Sequence, residues 1–338
     1  MRTKGIALLL ALAALVAVAG VVAGCGGSSS ASSGGGGGKL SLVAYSTPQE
    51  AYEQLIPAFQ KTAAGKGVTF SQSYGASGDQ SRAVANGLPA DVVEFSLEPD
   101  VTKLVDAGLV SSTWNQDQWH GFVTNSVVAL VVRKGNPKNI KTWDDLIKPG
   151  VQVIEPNPFS SGGARWNVMA AYGAQIKQGK SPEQALAYLQ QFFKNVAVQD
   201  KSARDALQTF TSGKGDVLVS YENEAITAQQ KGKAVDYVIP DQTILIQNPI
   251  AVTKDAKGSA KAFVAFLHTP EAQKIFQEKG YRPVDSELLD KSKFPTPSGL
   301  FTINDFGGWS KVMKDFFDPQ KGSVAKIEQG LGVSTAKS

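Results

Sequence analysis

The sequence predicts an α/β fold in two lobes, each a mixed sheet flanked by helices, with a ligand cleft between them. Three observations carry that expectation. Strand-like segments alternate with helical ones in two successive sets, the signature of open sheets wound with helices. About 300 residues follow a leader-like N-terminus, more than one hydrophobic core usually organises. Between the two sets lies a long apolar run suited to a buried strand passing from one lobe to the next. The 338 residues are 42% hydrophobic and 19% charged, which excludes disordered and fibrous classes.

Arg2 and Lys4 precede an uncharged apolar run from Ile6 to Val22, and small residues then lead to Cys25, the only cysteine. That pattern predicts an export signal over residues 1–24. The run is also long enough for a marginal membrane span, so a retained anchor is the competing reading. Val22-Ala23-Gly24-Cys25 resembles the lipobox of bacterial lipoproteins, in which the signal is removed before a cysteine that becomes lipidated. That resemblance implies a chain anchored through Cys25 on the outer face of the cytoplasmic membrane, because two or more buried acyl chains hold durably. After Cys25, only Gly, Ser and Ala occur up to residue 38, a tether with nothing to bury. Losing Arg2 and Lys4 leaves 32 basic against 30 acidic residues, a charge of +2, so no strong field points to nucleic acid. With Cys25 lipidated, neither a disulfide nor a thiol nucleophile remains.

The first lobe is expected over residues 39–125. Leu40 to Tyr45 alternates as a strand, and Thr47-Pro48-Gln49-Glu50 reads as a helix start with a capping box and proline at the first helical position. Tyr52, Leu55, Ile56 and Phe59 follow at helical spacing. Val68 to Tyr74 predicts a second strand, Ser77 to Asn86 a helix, Asp91 to Phe95 a third strand, and Pro99 to Ala107 another helix. Ser126 to Val132 is the apolar run that opens the second lobe, expected over 126–245. There the pattern predicts strands at Val151–Ile154, Val196–Val198 and Val217–Ser220, with helices from Gly163, Pro182, Ala203 and after Glu222. Ile244–Ile246 and Ile250–Val252 would return the chain to the first lobe over 246–338, with helices carrying Phe263, Phe266 and Leu267, then Ile275 and Phe276.

A ligand between such lobes meets strand ends and helix N-termini. Three strand-to-helix turns are built from small residues: Tyr74-Gly75-Ala76-Ser77-Gly78-Asp79-Gln80, Asn157-Pro158-Phe159-Ser160-Ser161-Gly162-Gly163-Ala164-Arg165 and Asp200-Lys201-Ser202-Ala203-Arg204. Each offers backbone N–H groups and a positive dipole end to an anion. Any one of them is equally an ordinary cap. Ser-Ser-Gly-Gly is longer than a cap needs, and consecutive glycines let a ligand approach the backbone closely.

The stretches Arg133 to Asn167, Phe193 to Arg204, Gly215 to Ala225, Tyr281 to Asp285 and Leu300 to Trp309 closely resemble the prokaryotic sulfate/thiosulfate-binding protein family. The resemblance runs from about Leu40 to about Lys314, and Asn-Pro-x-Ser-Ser-Gly-Gly-Ala-Arg-Trp-Asn is its most characteristic stretch. It implies the type II periplasmic-binding-protein fold and a dianion held by hydrogen-bond donors alone, without cofactor or metal. It also implies an ABC importer, with permease subunits and a separate ATPase, as the partner of a monomer. The donors it implies are the Ser77 N–H, the Ser161 hydroxyl, the Gly162 and Gly163 N–H groups and the Ala203 N–H, with Arg165 and Arg204 beside them. Two departures stand out. Tyr221 occupies the place where sulfate binders commonly have a tryptophan whose indole N–H donates; a phenol donates but also accepts. Asp79 follows the Ser-Gly turn where a basic or neutral residue is frequent, and it reads as a first-turn carboxylate or as an acceptor for a phosphate proton.

Sulfate, fully ionised and acceptor-only, suits a donor-only site, with thiosulfate the alternative and phosphate or molybdate behind it. A secreted hydrolase is the competing class. It would need a nucleophile with its base, yet His120 and His268 are the only histidines, and Gly75-Ala76-Ser77-Gly78 is not a Gly-x-Ser-x-Gly elbow. An adhesin is a third reading, in which Trp114 and Trp119 mark a contact surface, but the expected role of both is packing in the core or at a lobe edge. No Gly-x-x-x-x-Gly-Lys-Ser/Thr occurs, so ATP hydrolysis is assigned to other subunits.

Overall fold

Alternating apolar residues set up the first strand, β1 (Lys39–Tyr45), and the chain continues through α1 (Gln49–Gln60), β2 (Thr69–Gly75), α2 (Ser77–Ala85), β3 (Val92–Glu94) and α3 (Glu98–Asp106). The computed structural model describes residues 38–335. The signal, Cys25 and the tether up to residue 37 lie outside the described residues. A long strand, β4 (Phe122–Arg133), leads into β5 (Val153–Pro156), α4 (Gly162–Lys177), α5 (Pro182–Asn195), β6 (Val196–Asp200), α6 (Ala203–Thr211), β7 (Val217–Tyr221) and α7 (Glu222–Gln230). Then come β8 (Val235–Val238), β9 (Gln242–Val252), α8 (Ser259–Leu267), α9 (Pro270–Glu278), β10 (Arg282–Pro283), β11 (Gly299–Phe301), α10 (Gly308–Asp315) and α11 (Ser323–Gly330).

The strand order is β2-β1-β3-β9-β4-β7-β5-β6. Parallel pairs build each half, β1 with β2 and β3 in one and β5 with β6 and β7 in the other. The antiparallel pair β4 and β9 joins the halves. β4 spends Phe122–Val127 on β9 and Val128–Val132 on β7, while β9 spends Ile250–Val252 on β3. The two segments expected at Ile244–Ile246 and Ile250–Val252 are therefore one strand. Pro249, which has no N–H for the ladder, sits where the β4–β9 register is irregular.

Each half-sheet is covered on both faces. In the first lobe Tyr52, Phe59, Phe263 and Phe276 fill one face and Phe95, Val101 and Leu104 the other. In the second, Trp143, Trp166 and Phe192 lie on one face and Phe210, Leu218 and Ala225 on the other. Two cores bridged by two strands make the fold two-lobed, the α/β architecture that the alternating pattern predicts.

Two expectations need correction. Thr47 does not cap α1: Pro48 is the N-cap, and no side chain bonds to the first turn. The Thr47 hydroxyl is instead paired with the Tyr281 hydroxyl at 2.9 Å. The chain does not finish with α8 and α9, because α10 and α11 return to the second lobe, where Trp309, Val312, Val324 and Ala325 join its core. Trp309 meets Trp166 edge to face at 4.6 Å. Trp114 packs against the first-lobe core and Trp119 stacks on His268, in line with the packing role expected of both. Among the described residues, no helix is long and apolar enough to cross a membrane.

Candidate functional site

Parallel strands that end at one edge bring the helix starts after them together. In the first lobe Tyr45 of β1 lies in register with Gly75 of β2, so the starts of α1 and α2 are neighbours. The N-cap of α2 is Ala76, which has no capping side chain. The Ser77 hydroxyl turns away to the first turn of α3, donating to Asp100 Oδ2 at 2.6 Å and accepting the Ser96 N–H at 3.0 Å. Ser81 donates to the Asp100 carbonyl at 2.6 Å and ties the two helices further.

The second lobe presents α4 and α6. Asn157 shapes the turn before α4, since its side chain accepts the Phe159 N–H at 2.7 Å and its carbonyl accepts the Ser161 N–H at 2.8 Å. Ser161 is the N-cap, accepting the Ala164 N–H at 3.3 Å. Gly162 has to be glycine: a Cβ there would lie 2.8 Å from Ser96 Cβ and 2.9 Å from its Oγ. A Cβ on Gly163 would sit 3.5 to 3.6 Å from Ser161 Oγ, Ala203 Cβ and the Tyr221 ring. The Ser160 hydroxyl donates to the Lys201 carbonyl at 2.8 Å and binds the α4 turn to the α6 turn. Across the cleft, a Cβ on Gly78 would lie 3.1 Å from the Ser160 carbonyl oxygen.

The structure thus brings Ser77, Ser161, Gly162, Gly163, Ala203 and Tyr221 together, all of them buried. First-turn N–H groups have no partner within their own helix. Among the described residues, no protein acceptor meets those of Ser77, Gly162, Gly163 or Ala203. Tyr221 ends β7, and its hydroxyl lies 2.6 Å from Ser96 Oγ. Burial pushes this phenol well above its usual range, with the Glu224 and Asp100 carboxylates adding to it, so it remains an O–H.

Positive side chains surround the site but are already engaged. Arg165 Nε donates to the Pro158 carbonyl at 2.7 Å. Arg204 reaches Glu50 Oε2 at 2.6 Å, Glu224 Oε1 at 3.1 Å and the Thr47 carbonyl at 3.2 Å. Lys231 also pairs with Glu50. Asp79, the candidate acceptor for a phosphate proton, pairs with Arg82 and, at 2.8 Å, with Lys201. An anion here would be met chiefly by helix dipoles and N–H groups. His268 spends its ring on the Val264 and Phe122 carbonyls.

Ser46 and Ser96 escaped the sequence reading, and Thr47 was read only as a cap. Ser46 and Thr47 are buried at the start of α1, a fourth helix start beside the site. Their signal was present, because Tyr45-Ser46-Thr47-Pro48 is a strand-to-helix turn like the other three. Ser96, between β3 and α3, carried no helix or glycine signal of its own.

Two lobes, with helix starts from both facing one buried point, define a receptor that encloses a small solute: the type II periplasmic-binding-protein class. Residues 40–282 match the family of bacterial extracellular solute-binding proteins. The sulfate-binding protein of Synechococcus elongatus is 47% identical over 87% of this chain and 87% of its own length. The thiosulfate-binding protein of Pseudomonas aeruginosa is 35% identical over 81% of this chain and 88% of its own. Among solved structures, the sulfate-binding protein SubI of Mycobacterium tuberculosis superimposes with a TM-score of 0.81 at 45% identity, covering 83% of this chain and 99% of that one. The chain belongs to the bacterial extracellular solute-binding protein family, alongside proteins named for sulfate and thiosulfate. It is a binding protein that works outside the cytoplasm, not an enzyme.

Proposed function

We propose that this chain captures sulfate between its lobes and delivers it to the membrane permease of an ABC importer driven by a separate ATPase. The observation that carries this reading is the meeting of α2 with α4 and α6, first-turn N–H groups toward one point, while the arginines beside it are spent on carboxylates and carbonyls. In this reading Ser77, Gly162, Gly163 and Ala203 donate through the backbone and Ser161 through its hydroxyl. Sulfate offers only acceptors. Hydrogen phosphate carries a proton that needs one, and a buried mismatch of that kind discriminates strongly. Asp79 is held between two cations and is poorly placed to accept that proton. Thiosulfate has the same charge and a similar shape, and it is the second reading because these donors do not separate the two. Closure on the anion creates the surface that the permease reads. The receptor acts as a monomer, needs no cofactor, and is held by lipid at Cys25 on the outer face of the cytoplasmic membrane.

Calorimetry of the full chain, dialysed free of anion in a chloride buffer, tests the ligand. Sulfate is expected to bind at about 1 µM or tighter, with phosphate silent. Heat with phosphate and none with sulfate would sink the assignment. Fatty-acid labelling and intact mass test the anchor: the chain is expected to carry acyl groups and to lose them in Cys25→Ser, and a membrane-bound chain without acyl label would rule the lipid anchor out.

A further inference from the structure

Resting on that capture reading, we propose that Ser96 is the hydroxyl donor that faces the anion, fed by the Tyr221 hydroxyl behind it. Every polar atom of Ser96 is engaged. Its N–H donates to Ser77 Oγ at 3.0 Å, its carbonyl accepts from Trp166 Nε1 at 2.8 Å and Asn248 Nδ2 at 3.4 Å, and its Oγ meets the Tyr221 hydroxyl at 2.6 Å. The residue is fully buried. It follows β3 of the first lobe, whereas Trp166 and Tyr221 belong to the second, so these bonds form where the lobes meet.

Its side chain also touches the backbone that holds the anion. Ser96 Oγ lies 2.9 Å from where Gly162 would carry a Cβ, and the Tyr221 ring lies 3.6 Å from the same point on Gly163. The hydroxyl pair therefore packs against both glycines. Two hydroxyls that share one hydrogen bond have one proton left to donate. A phenol is the better donor of the two, which orients the chain of donation from Tyr221 to Ser96 and leaves the Ser96 proton for the anion. Hydrogen bonds in series polarise one another, so the phenol strengthens the donor in front of it.

The order of the chain makes the test directional. The full chain and its Ser96→Ala, Tyr221→Phe and doubly substituted variants would be titrated with sulfate and thiosulfate by calorimetry. Thermal melts without anion would establish that each is folded, and intrinsic tryptophan fluorescence, to which Trp166 beside the Ser96 carbonyl contributes, would follow binding independently. Ser96→Ala is expected to weaken binding about ten- to a hundred-fold and Tyr221→Phe less. The double variant should be no weaker than Ser96→Ala alone, a coupling that a merely structural serine would not produce. A Ser96→Ala chain binding within about twofold of the unaltered one, a larger loss from Tyr221→Phe, or additive losses would each overturn the assignment. An unaltered chain that takes neither anion would remove the capture reading and this role together, whereas a chain that binds but ignores Ser96→Ala would remove only the latter.

Discussion

The starts of α2 and α4 face each other, and each carries a serine, yet the two serines do different work. Ser77 is already inside its helix, and its hydroxyl is spent on Asp100 and on the Ser96 N–H. Ser161 stands one place before its helix and accepts the Ala164 N–H, which leaves its own proton to give away. One side braces and the other donates. A serine at a helix start is thus read by its position relative to the first turn and by what lies beneath it, not by its presence.

The strongest way to break this arrangement is Gly162→Ala. The added methyl would collide with Ser96 and Leu97 Cγ, at 3.0 Å or closer, and should hold the lobes apart, with sulfate binding weakened more than about a hundred-fold by calorimetry while the separate lobe cores persist. The serine comparison is next. Ser161→Ala should weaken sulfate about ten- to a hundred-fold and cost about 1 kcal/mol of stability through the lost cap. Ser77→Ala should invert that pattern, costing about 1–3 kcal/mol in urea unfolding because Asp100 Oδ2 loses its buried partner, with affinity changed only a few-fold. Equal effects of the two substitutions on affinity would erase the distinction.

The strands that feed the two sides carry buried carboxyls, Glu94 on β3 and Glu155 on β5, both pushed upward by burial. Glu94 reaches about 8. In the unfolded chain it titrates near 4.3, so the stabilisation from its protonated form is complete below that value and is lost as pH rises through about 8. Melting temperature should therefore fall from pH 5 to pH 8, and the fall should be shallower in Glu94→Gln. Glu328, raised to about 7, contributes in the same direction. The smallest effect is expected from Lys201→Ala. This removes an ion pair between an exposed lysine and the partly buried Asp79, worth at most about 1 kcal/mol and weakened at high salt. A loss of affinity that survives high salt would mean that the pair does more than join two surfaces.

Much of this architecture is legible in the sequence. Alternating strand and helix periods give nearly every element through α9, and the Asn157-to-Arg165 stretch, read by resemblance, marks residues that the fold brings beside Ser77, Ala203 and Tyr221. What escaped depends on long-range neighbours. Arg204 and Glu50 are 154 residues apart and nothing local pairs them. Ser96 matters because Gly162 and Tyr221 fold against it, 66 and 125 positions later in the chain. Thr47 looked like a cap because a threonine three residues before a glutamate ordinarily is one, and the distant Tyr281 claimed its hydroxyl. α10 opens on Gly307 and Gly308, both at positive φ, and glycines signal a stop more often than a start.

The crossing strands also set the order in which this chain can be built. Val92 of β3 pairs with Val252 of β9, about 160 residues later. Until β9 arrives, β3 presents an open edge and the first lobe has no complete sheet, a non-local closure of the kind that folds slowly. A chain made from its N-terminus therefore cannot complete the first-lobe sheet until some three-quarters of it is present, and the sheet closes through residues that are far apart in the chain.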